Sequence, residues 1–154
     1  MPLTPAQLAA HAIRVKAPAI ARAAVDALYD ARPDLAQRYG DAGRRHCAKD
    51  LGHHLRFLAA AVEMNEPRLF TDYAAWAARV MVTHKVALDD ALASFRCLLE
   101  TAPPAVPAQS ADVVRQIITT GLRHVESHPP REPRRSRAAP GPFASAAAQT
   151  PSRS

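Results

Sequence analysis

The chain has 154 residues, which is enough for one domain. It carries 20 Lys and Arg against 14 Asp and Glu, a net charge of +6, and 48% of its residues are apolar while only 5% are aromatic. Alanine fills 34 positions, so much of the apolar share favours helix and buries little surface. A transmembrane chain is excluded, because no stretch of about 18 uncharged apolar residues occurs.

The expected compartment is the cytoplasm. The first five residues show neither a basic start nor an apolar run, so no secretory signal is expected. The two cysteines, Cys47 and Cys97, have no spacing typical of a disulfide framework or a zinc site, which fits a reducing environment.

Residues 128–154 differ in composition from the rest. They hold six of the 14 prolines, five Arg and one Glu, and Phe143 is their single large apolar residue. Such a segment cannot bury enough surface to offset the entropy of ordering it, so it is predicted to be a disordered tail. The predicted folded unit is a helical sensor or interaction domain over 1–127, which has 15 basic and 13 acidic groups.

The domain shows helical periodicity throughout and no convincing strand. Thr4 and Gln7 flank Pro5 and predict a capping box at the start of the first helix, while Pro18 should kink or break that helix. A short helical turn then ends at Gly40, which suits the left-handed conformation of a helix end.

Four more helices follow, each with apolar residues at spacings of three and four. A helix over about 41–64 is predicted to bury Cys47 and His54. The next begins after a cap at Asn65, a fourth runs from 88 to the prolines after 102, and the last begins near 110. The predicted fold is therefore all-α, a compact bundle of about five helices with globin-like or up-down packing.

The search for an enzyme site finds nothing. The five glycines are scattered singly and form no phosphate loop, and neither G-x-S-x-G nor H-E-x-x-H occurs. The chain is therefore predicted not to be an enzyme.

One helix concentrates polar side chains that could bind a ligand. His46, Asp50 and His53 fall on one stripe at i, i+4 and i+7, and such side chains are legitimate metal ligands. The stripe spans about 10 Å of helix and cannot close a coordination sphere alone, so a solvated face is favoured and no metal is expected.

The apolar seam of the same helix includes His54, which is typical of a hydrogen-bonded core histidine but would be the natural axial ligand of a haem. Tyr73 and Trp76 are more typical of a core than of a ligand-binding site. A buried Trp or Tyr still needs a polar partner, which Asp72 or His54 could supply. The speculative ligand-binding set is Cys47, Asp50, His54, Tyr73 and Trp76.

Two stretches, 32–58 and 69–76, resemble the helical N-terminal module of bacterial cobalamin-binding regulatory proteins and, more loosely, globin-like haem-free sensor domains. The residues that carry the resemblance are Pro33, Leu35, Arg38, Tyr39, Gly40, Gly43, Cys47, Asp50, His54, Leu55, Leu58, Phe70, Tyr73 and Trp76. Those regulators bind their cofactor in a separate α/β domain with an Asp-x-His-x-x-Gly motif, which this chain lacks. The resemblance implies a sensory or protein-interaction module standing alone, with no cofactor expected and haem or cobalamin as less favoured possibilities.

Three functions stay open. The favoured one is a non-enzymatic regulatory module that acts through a protein partner or by dimerisation, and the second is a ligand, haem or metal sensor using the helix over 41–64. The third is a nucleic-acid-associated protein, since a basic tail can make non-specific phosphate contacts. The speculative nucleic-acid contacts are Arg131, Arg134, Arg135 and Arg137. No membrane partner is expected.

Overall fold

The structure is a computed structural model that describes residues 1–131, and within them it contains five α-helices and no strand. The predicted all-α class is thereby confirmed. The helices are α1 (Pro5–Ala31), α2 (Asp34–Glu63), α3 (Pro67–Thr83), α4 (Leu88–Thr101) and α5 (Ala111–Ser127). Two short 3₁₀ turns, Pro103–Ala105 and Ala108–Ser110, connect α4 to α5.

The first helix begins as its sequence predicts. The Thr4 hydroxyl accepts a hydrogen bond from the Gln7 amide at 3.1 Å, and the Gln7 side chain accepts one from the Thr4 amide at 2.9 Å. The expected break at Pro18 is wrong, because α1 continues through it to Ala31. Pro18 has no backbone N–H and cannot donate its helical hydrogen bond, but packing of α1 against α2 and α4 stabilises the helix at this position.

The second helix contains a sharp bend at Gly40, which has a φ of 67°. That left-handed conformation disfavours side chains with a Cβ, so glycine is the residue that suits it. The short helical turn predicted before Gly40 and the helix predicted over about 41–64 are the two segments of α2, and they are joined at Gly40.

One main apolar core joins all five helices. Its largest fully buried side chains include Phe70, Phe95, Ile13, Leu35, Leu51, Leu55, Leu58, Leu98 and Ile118. Helix α5 lies so close to α3 that a Cβ on Gly121 would be 2.8 Å from Cδ2 of Phe70. Glycine at that position therefore allows the two helices to touch.

Three expectations about buried positions are wrong. The helical spacing of Leu8 and Val15 predicts that they share the apolar face of the first helix, but they are 39% and 63% exposed. Trp76, expected in the core, is 52% exposed. In α1 the buried face is formed instead by residues such as Ala10 and Ile13. Small alanines such as Ala10 are buried on α1 beside larger residues such as Ile13 and Leu28, so the size of an apolar side chain alone does not mark the core face.

A buried ion cluster fixes the start of α4 against the junction of α1 and α2. The Asp90 carboxylate accepts hydrogen bonds from Arg32 at 2.5 Å, from Arg38 at 2.8 and 3.2 Å, and from the Tyr39 hydroxyl at 2.5 Å. Burial alone would raise the pKa of Asp90, but the hydrogen bonds outweigh it and hold the pKa below its usual value. The carboxylate is thus fully partnered within the chain.

No helix in residues 1–131 combines the length and the apolar character needed to cross a membrane. The predicted tail falls mostly on residues 132–154, which lie outside the described residues. The division into a domain over 1–127 and a tail over 128–154 therefore stays a prediction.

Candidate functional site

A cleft of about 400 Å³ opens between α2 and α3 and is closed at one end by the connection from α3 to α4. Its size lies within the range of small-molecule and cofactor sites. The lining residues are His46, Asp50, His53, His54, Phe57, Tyr73, Trp76, Ala77, Val80, Met81, His84 and Val86. The cleft therefore combines apolar walls with several polar groups.

The carboxylate of Asp50 is the most unusual polar group in the cleft. Burial raises its pKa from 3.8 to about 6, and only the neighbouring charge of Lys49 acts in the opposite direction. Within residues 1–131 no hydrogen bond or ion pair neutralises it. An acceptor that is withdrawn from water and lacks a partner is a place where a ligand donor fits.

A second polar atom of the cleft also lacks a partner. The Nδ1 atom of His84, in the connection after α3, is buried and makes no hydrogen bond in the described part of the chain. A buried polar atom without a partner costs about 1 to 3 kcal/mol, so the chain alone does not complete this site.

Aromatic side chains form one wall of the cleft. The rings of Phe57 and Tyr73 stack with centroids 4.2 Å apart, and the ring of Trp76 lies 6.1 Å from that of Tyr73. Phe57 and Trp76 remain 41% and 52% exposed. A flat apolar molecule in the cleft would cover aromatic surface that the fold leaves in water.

Behind this wall, a buried hydrogen-bond chain fixes the orientation of Tyr73. Its hydroxyl is 2.6 Å from Nδ1 of His54, whose Nε2 is 3.4 Å from the Ser94 hydroxyl. Ser94 donates to the Ala91 carbonyl at 2.7 Å, so its oxygen is free to accept from His54. The consistent assignment has Tyr73 donating to Nδ1 of a neutral His54 that carries its proton on Nε2.

This histidine is not available as a metal ligand. It is fully buried, both ring nitrogens face side-chain partners, and its ring stacks on Phe95 with centroids 4.2 Å apart. Burial, assisted by the charge of His53, lowers the pKa of His54 to about 3. The axial haem ligand considered from the sequence does not fit this position.

The thiol of Cys47 lies beside the cleft, not in it. It lines a small cavity of about 20 Å³ that shares Asp50, Met81 and Val86 with the cleft wall. Burial, together with the Asp50 charge, raises the pKa of Cys47 to about 12, so the sulfur is protonated at neutral pH. It is the nearer of the two thiols to the cleft lining, since Cys97 lines neither cavity.

The structure brings together most of the residues singled out from the sequence. Asp50, His54, Tyr73 and Trp76 line one cleft, with Cys47 behind its wall. His46 and His53 line the same cleft, but no group of three His, Cys, Asp or Glu side chains in residues 1–131 is arranged to hold a metal ion. Sequence analysis missed Phe57, Met81 and His84, whose only signal was helical spacing from residues already chosen.

The described residues form an all-helical fold with a cleft that combines exposed aromatic rings with polar atoms that have no partner within residues 1–131. A family model described as "Phycobilisome protein" matches residues 6–125. The chain therefore belongs to the phycobilisome protein family. No curated protein and no solved structure matches it significantly.

Family membership corrects several expectations from the sequence. The resemblance to cobalamin-binding regulators is wrong, because the matched family is a different one, and the regulatory, sensory, metal-sensing and nucleic-acid functions are overturned with it. The expectation of no cofactor is also wrong, since proteins of this family carry covalently bound bilins. Arg131 is exposed, and the other three tail arginines lie outside the described residues.

Two predictions from the sequence, that the protein is not an enzyme and that it self-associates, agree with the general properties of the family. Phycobilisome proteins are generally non-enzymatic, and they self-associate into oligomers.

Proposed function

We propose that this protein is a chromophore-bearing, light-harvesting protein that holds a bilin, a linear tetrapyrrole, in the cleft between α2 and α3. The observation that carries the proposal is the half-buried, unneutralised carboxylate of Asp50 in a cleft with one aromatic wall, inside the region that matches the phycobilisome family. A bound bilin supplies visible absorption through its conjugated pyrrole rings.

The side chains of the cleft suit such a molecule. Asp50 can accept hydrogen bonds from pyrrole N–H groups, and this pairing would favour the charged carboxylate that burial now disfavours. Phe57 and Trp76 offer exposed ring faces for apolar contact. The Nδ1 atom of His84 offers a further polar contact that the chain itself leaves open.

Cys47 is the proposed attachment point. Covalent bilin attachment requires a cysteine, and the chain has two, both of them free thiols. The small cavity that Cys47 lines shares three residues with the cleft, whereas Cys97, on α4, lines neither of them. The high pKa and burial of Cys47 mean that its sulfur must become accessible through the Met81 and Val86 wall before it reacts.

The proposed bilin-binding unit is the domain over 1–127, and the proposed compartment is the cytoplasm. Free thiols at both cysteines support a reducing environment.

The test is to produce the protein in cells that also make a bilin, and to measure visible absorption of the purified protein before and after denaturation. We expect pigment that stays with the wild-type chain on a denaturing gel and shows zinc-enhanced fluorescence. Cys47→Ser should abolish this covalent pigment, whereas the matched control Cys97→Ser should retain it. Melting temperatures of both variants verify that they fold.

Two results would contradict the proposal. A wild-type protein that folds but takes up no pigment would remove bilin binding. Loss of covalent pigment in Cys97→Ser with retention in Cys47→Ser would move the attachment away from the cleft.

A further inference from the structure

Tyr73 has the surroundings of a tyrosine that can pass its proton to a neighbour inside the protein. Its hydroxyl lies 2.6 Å from Nδ1 of His54, and the residue is only 6% exposed. Burial lowers the pKa of His54 to about 3, so its imidazole is neutral at physiological pH and Nδ1 offers a lone pair to the hydroxyl proton. The charged groups that act on Tyr73 are Asp50 and Arg56, which have opposite signs. Within residues 1–131 the Tyr73 proton therefore has a defined acceptor.

The neighbours of His54 can stabilise the positive charge that it would gain with this proton. The Ser94 oxygen lies 3.4 Å from Nε2 and can accept a hydrogen bond from it, because Ser94 donates its own proton to the Ala91 carbonyl. The ring of Phe95 stacks on the imidazole with centroids 4.2 Å apart, and an aromatic face attracts a cation. Because burial disfavours the imidazolium, His54 would hold the proton only briefly and return it to Tyr73.

Tyr73 also has an aromatic connection to the surface. Trp76 lies one helical turn further along α3, and its ring centroid is 6.1 Å from that of Tyr73. The ring of Trp76 is 52% exposed, whereas Tyr73 is buried. Tryptophan and tyrosine are the aromatic side chains that lose one electron most readily. An oxidant in water therefore meets Trp76 first, and Tyr73 is the aromatic donor in contact with it.

We propose that Tyr73 is a redox-active tyrosine that reduces Trp76 after this residue has been oxidised, an activity that needs no pigment and goes beyond light harvesting. An oxidising radical in solution, of the peroxyl class, takes one electron from Trp76 and becomes a hydroperoxide with a proton from water. Tyr73 then gives one electron to the Trp76 radical cation and its proton to Nδ1 of His54, which leaves a neutral tyrosyl radical and an imidazolium. A one-electron reductant of the ascorbate class returns the electron to Tyr73, and His54 returns the proton. The chain is then unchanged, and the reductant has consumed the oxidising radical.

The electron path is tested by flash photolysis of the full chain without pigment, with a soluble ruthenium photosensitiser as the one-electron oxidant. Absorption and EPR spectra follow the two radicals, and in the wild type the tryptophan radical should decay as the tyrosyl radical appears. Tyr73→Phe should abolish the tyrosyl radical and prolong the tryptophan radical severalfold. The matched control is Tyr29→Phe, because the ring of Tyr29 contacts the Arg44 guanidinium instead of a histidine, and it should behave as the wild type. Trp76→Phe should slow formation of the tyrosyl radical, because the exposed relay is removed.

The proton acceptor is tested by a variant and by a pH profile. His54→Gln can still accept a hydrogen bond but cannot take up the proton, so formation of the tyrosyl radical should slow by about tenfold or more. Between about pH 7 and about pH 9, where Asp50 is already ionised, the wild-type rate should not depend on pH because the proton goes to His54. This profile needs no variant, so it tests the acceptor even if His54→Gln fails to fold.

Three results would overturn the proposal. The first is a tyrosyl radical that persists in Tyr73→Phe, and the second is an equal rate of radical formation in folded His54→Gln. The third is a wild-type rate that rises with pH over this range, because the proton would then go to bases in solution. None of these results depends on bilin binding, which the pigment measurements on Cys47→Ser and Cys97→Ser test separately.

Discussion

Two carboxylates of this protein, Asp90 and Asp50, are both withdrawn from water, but their surroundings are opposite. Asp90 accepts hydrogen bonds from Arg32, Arg38 and Tyr39, and its pKa lies below the usual value. Asp50 has no such partner in residues 1–131, and burial raises its pKa to about 6. The first carboxylate links α4 to the junction of α1 and α2, whereas the second is an open acceptor within the described residues, which is why we propose it as a ligand contact.

The difference also explains why only one of the two regions is a candidate site. Around Asp90 the polar groups satisfy each other, so a ligand would have to displace existing hydrogen bonds. Around Asp50, by contrast, the carboxylate itself, Nδ1 of His84 and the exposed rings of Phe57 and Trp76 would gain contacts from a molecule in the cleft. Incomplete hydrogen bonding therefore separates the functional polar cluster from the structural one.

The largest expected effect comes from breaking the Asp90 cluster. Asp90→Asn keeps the shape of the side chain but removes the charge that pairs with Arg32 and Arg38, and we expect it to lower the free energy of unfolding by about 2 to 4 kcal/mol. Urea unfolding measures this change. The control Asp112→Asn breaks an exposed ion pair with Arg115 and should have almost no effect. Equal effects of the two variants would mean that the Asp90 cluster is not structural.

The second prediction compares how stability depends on pH. The pKa of His54 is about 3 in the folded chain and 6.5 in the unfolded chain. Below pH 6.5 the unfolded chain therefore binds a proton at His54, whereas the folded chain keeps this histidine neutral. This contribution should lower the free energy of unfolding by about 2 kcal/mol between pH 7 and pH 5. Asp50 acts in the opposite direction, because its raised pKa lets the folded state take up a proton first below pH 6.

Variants separate these two contributions. We expect wild-type stability to fall by only about 1 kcal/mol from pH 7 to pH 5, because the contribution of Asp50 offsets part of that of His54. Asp50→Asn should steepen the fall to about 2 kcal/mol, and His54→Gln should reverse its sign. Urea unfolding at pH 7, 6 and 5 gives all three slopes. If the free energy of unfolding depended on pH identically in the three proteins, His54 and Asp50 would not be the groups responsible.

The sequence predicted the helices well because their signals are local. The capping box at Thr4, the left-handed Gly40 and the apolar seam with His54 depend on residues within one or two turns. The break expected at Pro18 failed because contacts with other helices override a local signal.

The site was harder to predict because it is made of separate elements. Asp50 and His84 line the same cleft although they are 34 positions apart, and no spacing rule relates them. Helical periodicity also cannot separate a core face from the wall of a cleft, which is why the exposure of Trp76 was missed. The resemblance to cobalamin-binding regulators was wrong for a similar reason. Apolar residues at helical spacing occur in many helical modules, so they do not separate that family from the phycobilisome proteins.

The smallest expected effect on stability, and the sharpest contrast with Asp90, is at Trp76. Its ring is 52% exposed, so Trp76→Ala should change the free energy of unfolding by no more than about 0.5 kcal/mol. If the aromatic wall contacts a bilin, the same change should reduce the pigment retained per folded chain severalfold. Trp76 is also the only tryptophan in the chain, so its fluorescence in the wild type should be quenched as added bilin fills the cleft. Unquenched fluorescence at saturating pigment, with full retention by Trp76→Ala, would place the bilin elsewhere.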